Sequence, residues 1–177
     1  MKRSFLLFVA FTVLAMLAAN AYSHAQAQTQ TPRPVQSRTD EMLDRWNDIG
    51  NKLITMAKDF PEDKYGFRLK PEMRSFGEVI VHVTSGIVYA DKAGRGEKVK
   101  WDEIDPKNYL TKASIVALLE KAVHDSEATL KSLPDASFAK TIEPWDDVTE
   151  HSAEHYGLLV AYYRANGIVP PESRPKE

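Results

Sequence analysis

Cysteine is absent from all 177 residues. That excludes a disulfide framework, a lipid-attachment cysteine and any thiol chemistry on the protein itself, so an exported domain with this sequence has to rely on its core for stability. An excess of positive charge is missing as well: 23 Lys and Arg against 25 Asp and Glu leave a net charge of −2. A nucleic-acid partner calls for a basic patch, so that class is set aside. No stretch shows a strand pattern, and no internal repeat is present. The longest apolar run, Phe5 to Ala19, stops at about fifteen residues, short of the roughly twenty that span a bilayer.

What that run does fit is export. It follows Lys2 and Arg3 and leads to two A-x-A stretches, Ala19-Asn20-Ala21 and Ala25-Gln26-Ala27. A short basic segment, a brief apolar core and small residues at its exit make a secretory signal peptide, with cleavage expected between Ala21 and Gln28. An uncleaved N-terminal anchor is the alternative. Residues 1–27 are therefore assigned to the signal, and 28–38, mostly Gln, Thr and Pro, to a flexible leader. Losing residues 1–27 removes Lys2 and Arg3 and no acid, which moves the net charge from −2 to −4. The mature protein is expected in the periplasm or outside the cell, with no stable membrane association.

From Thr39 the pattern is helical. Met42, Trp46, Ile49, Leu53 and Met56 recur at alternating steps of four and three, the seam of a bundle, and Phe60-Pro61 closes the segment. Ser75, three residues before Glu78, is a capping box that opens a second helix with Phe76, Val79, Ile80, Val83 and Ile87 on its apolar face. Asp91 to Leu110, with two glycines and a proline, reads as a loop. Twenty extended residues reach roughly 65 Å, about twice the length of a twenty-residue helix, so helices two and three need not be antiparallel neighbours. Thr111 caps a third helix that turns Ile115, Leu118, Leu119, Ala122 and Leu130 inward and ends at Leu133-Pro134. The fourth starts near Pro144, a residue favoured at the first helical position. It is stopped by Asn166-Gly167 and Pro170-Pro171. The fold class is an all-α four-helix bundle.

That fourth helix carries the chemistry. His151 and His155 stand four apart, and on a helix they share one face, about 6 Å along the axis. Paired imidazoles at this spacing can share one metal ion, and the same face continues through Leu158, Leu159 and Tyr162 toward a buried seam. The protease signature HExxH is not present. Of the other histidines, His24 leaves with the signal or lies in the flexible tail after it. His124 falls opposite inward-facing Ala122 and is expected in solvent. His82 shares a face with Val79, Val83 and Gly86. If helices two and four pack together, His82, His151 and His155 converge as three nitrogen ligands with one position open to water. Neutral imidazoles on rigid helices suit Zn2+ or Ni2+. Affinity is then expected to fall as pH drops through the range near ~6.5 where free histidine protonates.

The segments FPEDKYGFRLKPEMRSFGEVIVHV and EHSAEHYGLLVAYYRANGIVPP resemble the DinB-like family of small metal-binding proteins. The combination of P-E-D-K-Y, R-S-F-G-E before a helical histidine, H-x-x-x-H-Y-G and N-G-I-V-P-P covers the chain from Thr39 to Pro171, leaving 172–177 as a C-terminal tail. The resemblance implies a four-helix bundle in up-down-down-up order, with its long crossover between helices two and three. It also implies a divalent metal held by one histidine of helix two and two of helix four, roles that fall on His82, His151 and His155. A homodimer is a further implication. Where many members carry Gln after the glycine that follows the last histidine, this chain has Leu158.

Three classes of function fit a three-histidine metal site with an open position. Metal-dependent hydrolysis of a small molecule is chemically available. A transferase or isomerase working on a small thiol cofactor is implied by some relatives, although such cofactors are mainly cytoplasmic. A non-catalytic metal- or ligand-binding bundle is the third. No convincing general base stands out. Glu78 is explained by its capping box, Asp147 is a candidate to orient the His151 ring, Arg68 and Lys70 read as solvated loop, and Tyr156, Tyr162 and Tyr163 read as packing residues.

Overall fold

The computed structural model describes residues 36–175. Residues 1–35, on which the expected signal peptide, His24 and most of the expected leader fall, and residues 176–177 lie outside the described residues. Four long helices account for the architecture, and among the described residues there is no strand: α1 (Arg38–Asp59), α2 (Phe76–Gly94), α3 (Lys112–Ser132) and α4 (Trp145–Ala165). Short 3-10 turns punctuate the links, at Glu62–Lys64, Pro106–Asn108, Asp135–Phe138 and Pro171–Ser173. No helix of the described residues is long and apolar enough to cross a membrane.

Local chemistry sets each boundary. Ser37 accepts the Asp40 N–H and starts α1, while the Phe60 backbone turns extended ahead of Pro61 and ends it. The capping box of α2 is complete: Glu78 N–H donates to Ser75 Oγ, and the Ser75 N–H donates to Glu78 Oε2 at 2.7 Å. Such a cap stabilises a helix by about 1 kcal/mol. Thr111 and Ser114 form the equivalent pair on α3. Gly167, at φ +70°, closes α4. Its N–H bonds to Arg164 O while that of Ile168 reaches back to Tyr163 O, a double closure that needs the left-handed residue.

Two boundaries differ from the sequence expectation. Asp91 to Gly94 belong to α2 rather than to the loop. Asp91 is buried there, accepting from the Thr129 hydroxyl at 2.6 Å and pairing with Arg95, and those partners extend the helix past residues that local pattern reads as polar. Pro144 sits one position before the first helical residue, Trp145, an offset within the usual fraying of helix ends.

Cross-helix contacts give the direction of each helix. Thr39 N–H meets Asp135 just past the end of α3, and Lys112 at its start reaches Phe60 O, so α1 and α3 run antiparallel. Trp46 meets Trp145, and Tyr163 meets Met56, so α1 and α4 run parallel. Gly94 abuts Trp145, while Tyr162 bonds to Arg74 O just before α2, so α2 and α4 are antiparallel. The order is up-down-down-up, and residues 95–111 make the long crossover. Consecutive helices α1 and α2 lie on the diagonal, while α2 and α4 are neighbours. That adjacency positions the histidines.

The core fills the space between the four helices, with Leu53, Ile80, Val83, Leu119, Leu130 and Leu159 fully buried. One end is closed by Phe60 stacked on Phe76 at 3.8 Å between centroids, with Tyr163 against both. The other holds Trp46 edge-on to Trp145 at 4.9 Å, and the Trp46 indole N–H donates to buried Ser126 Oγ. Tyr162 and Tyr163 are packing residues as expected, each with its hydroxyl spent on a backbone carbonyl. Leu118 is only half-buried; Val123 and Ser126 take the inward positions beside it.

Candidate metal centre

Antiparallel packing of α2 on α4 brings His82 against His151 and His155. His82 Nε2 and His151 Nε2 stand 3.1 Å apart. One ring nitrogen from each of His82, His151 and His155 lies within 4.8 Å of the other two. His155 directs Nδ1 at the His151 backbone carbonyl at 2.9 Å, which leaves Nε2 as its free ring nitrogen. His82 places Nδ1 2.7 Å from Glu103 Oε1, so its free nitrogen is also Nε2. An ion with nitrogen ligands at about 2.1 Å holds them about 3.4 Å apart at the tetrahedral angle. The His82–His151 separation already matches that spacing, so the donor set fits a divalent metal.

Electrostatics favour neutral ligands. Burial pushes His151 down to about 4, and neighbouring His155 and His82 add to the shift. Burial also lowers His155, against an opposing contribution from its bond to the His151 carbonyl. A neutral imidazole offers a lone pair without first losing a proton. His124 is exposed on α3, away from the cluster, as its helical position predicts.

Residues from outside α2 and α4 complete the surroundings, and these were not legible as site residues. The Trp101 indole of the crossover lies edge-to-face with His151 at 5.0 Å between centroids and 6.2 Å from His82. It occupies the notch left by Gly86, where a Cβ would lie 2.5 Å from Trp101 Cη2 and 3.3 Å from His151 Nδ1. That Nδ1 is buried with no hydrogen-bond partner among the described residues. Asp147 therefore does not orient His151; it points into solvent from the outer side of α4. Glu78 keeps to its cap and pairs with Arg68, whose guanidinium also donates to Met73 O. Arg68 is exposed in loop, as expected, and its guanidinium ties that loop to the entry of α2. A groove of about 280 Å3 bordered by Tyr65, Glu78, Tyr109 and Ile115 includes none of the three histidines.

The sequence model of the DinB superfamily matches residues 45–164, a span that includes His82, His151 and His155. The chain belongs to the DinB superfamily. No curated protein matches it. As a DinB-superfamily bundle with a convergent three-histidine group, the protein has the makings of a metal-binding site at the α2–α4 seam. The crossover, which the up-down-down-up order of this bundle requires, walls one side of it.

Proposed function

We propose that this DinB-superfamily protein is exported and holds one divalent metal ion, Zn2+ or Ni2+, through His82, His151 and His155, and that the site serves hydrolysis of a small molecule. The observation that carries the reading is the convergence of the three ring nitrogens within 4.8 Å on two antiparallel helices. A divalent ion bound there would supply Lewis-acid polarisation of a carbonyl, or a water acidified to a pKa of about 7. The chain's own contribution is positional. Rigid helices hold His82 and His151 at coordinating separation, the His151 carbonyl turns the His155 ring, and Trp101 shields one side from water.

One observation favours a second reading, a bundle that binds a metal or ligand without turnover. Among the described residues, the carboxylate in contact with the cluster is Glu103, and it is engaged with His82 rather than free to act as a general base. Metal analysis of protein purified from its native compartment tests the shared part of both readings. Hydrolytic and thiol-transfer assays with and without chelator then separate them. Chelator-sensitive hydrolysis supports the first, stoichiometric metal with no turnover the second, and thiol transfer the cofactor-dependent class; protein without metal defeats all three. The homodimer that the resemblance implies is part of the proposal and is tested by sedimentation at about tens of micromolar, well above typical specific dissociation constants.

A further inference from the structure

His82 differs from the other two histidines in what stands behind it. Its Nδ1 faces a carboxylate, Glu103 Oε1 at 2.7 Å, whereas His155 faces a neutral carbonyl and His151 faces no polar partner. Glu103 is 21 residues away in sequence, on the crossover. It does not reach His82 as a loose side chain. The next residue, Ile104, donates its N–H to Ser85 Oγ on α2 at 3.0 Å, pinning the backbone. Two residues before Glu103, Trp101 is seated in the Gly86 notch. The Arg74 guanidinium, 3.6 Å from Glu103 Oε1, approaches the carboxylate from the segment before α2. Segment 101–104 is thus fastened to α2 at two adjacent residues, Gly86 through Trp101 and Ser85 through Ile104, with Glu103, which meets His82 one turn earlier on α2, between the two fastened positions.

An imidazole that ligates through Nε2 must carry its proton on Nδ1, and a carboxylate accepting that proton fixes the tautomer, locks the ring and makes the ligand more basic. We propose that Glu103 is a positioning residue for the metal site, orienting His82 as a ligand, and that the crossover segment 101–104 is a working part of that site rather than a connector. This rests on the three-histidine reading above.

The test is calorimetric titration of the purified protein with Zn2+ alone, comparing wild type with Glu103→Gln and, as a control on the same crossover, Glu97→Gln, whose contact is with Arg95. Wild type and Glu97→Gln should bind one ion with equal affinity, while Glu103→Gln should bind about 10–100-fold more weakly. With histidine labelled by 15N, the zinc-bound wild type should show a His82 Nδ1–H proton shifted downfield by its charged acceptor. In Glu103→Gln that signal should move upfield while the His155 signals stay in place, and metal-free melting should be unchanged. Equal zinc affinity with an unmoved His82 signal overturns the proposal and leaves the three-histidine site standing. A weaker affinity matched by a lower metal-free melting temperature and no selective His82 shift overturns it too, since Glu103 would then only hold the fold. A wild type that binds no zinc removes the three-histidine reading, and this inference with it.

Discussion

His82 Nε2 and His151 Nε2 face each other at 3.1 Å although 69 residues separate them along the chain. Nothing local requires it. The pairing comes from an up-down-down-up order that makes α2 and α4 antiparallel neighbours, with His82 near mid-α2 and His151 within the first two turns of α4. Removing either imidazole, or His155, should abolish stoichiometric zinc or nickel, because two remaining nitrogens do not hold an ion in a site of this kind. His124→Ala should bind as wild type does, since His124 is exposed on α3. Metal content after dialysis against buffered Zn2+ checks this; loss of the ion in His124→Ala would redirect the search to α3.

Bound ion should also stabilise the fold. Its ligands lie on separate helices, and binding to the folded chain alone adds RT ln(1 + [L]/Kd), about 2.7 kcal/mol at a hundredfold excess over Kd. Thermal melts with Zn2+ should shift upward in wild type, and chelator should reverse the shift. His151→Ala should melt at the same temperature with and without Zn2+. A zinc-dependent shift that survives in that variant would mean the ion stabilises through another site.

Two glycines should respond in opposite directions to alanine. At Gly94 a Cβ would run into the Trp145 ring, with Cε2 at 3.0 Å and Cη2 at 3.2 Å. Trp145 is only 1% exposed and backed by Trp46, so it cannot give way. Overpacking of this kind costs about 1–3 kcal/mol. Gly157 is exposed on α4 with nothing within 4 Å of its Cβ position, so Gly157→Ala should gain about 0.4–1 kcal/mol by restricting the unfolded chain. Urea midpoints at neutral pH measure both.

Export predicts a mature N-terminus between Ala21 and Gln28. N-terminal sequencing of protein from the extracytoplasmic fraction should find it there. A chain that still begins at Met1 and sediments with membranes would establish the anchor instead.

Most of the fold was legible because its determinants are local: the four-and-three spacing of Met42, Trp46, Ile49, Leu53 and Met56, the Ser75–Glu78 box, and the Gly167 stop all act within a few residues. The helix face of each histidine was legible for the same reason, whereas the convergence of the three was legible only as a condition on α2 packing against α4 and as what the family resemblance implies. Trp101 and Glu103 were not. They sit in irregular chain whose path is set by single tertiary contacts, Ile104 to Ser85 and Trp101 to the Gly86 notch, and a crossover has no period to read. Asp147 shows the converse. Four positions from His151 it had the right helical spacing for a hydrogen bond, yet it lies on the solvent side and the His151 Nδ1 turns inward toward Gly86.

Metal-free protein should lose stability as pH falls from about 6.5 toward about 4, and the sign follows from His151. In the unfolded chain a histidine titrates near ~6.5, whereas burial holds folded His151 down at about 4. Between those values the unfolded chain binds a proton that the folded chain refuses, so acidification favours unfolding. The contribution is fully present above the unfolded value and lost once pH has fallen through the folded one. His155, also lowered by burial, acts in the same direction. Carboxylates tied to cations in the fold, such as Asp59 with Arg174, are likewise lowered and add their own acid sensitivity at lower pH. Urea midpoints from pH 8 to 4 in chelator should therefore fall more steeply for wild type than for His151→Ala, the difference isolating the histidine. At His151 itself, the same depression moves proton competition with a bound ion down toward pH 4. Parallel denaturation profiles for the two proteins would place the acid sensitivity elsewhere in the bundle.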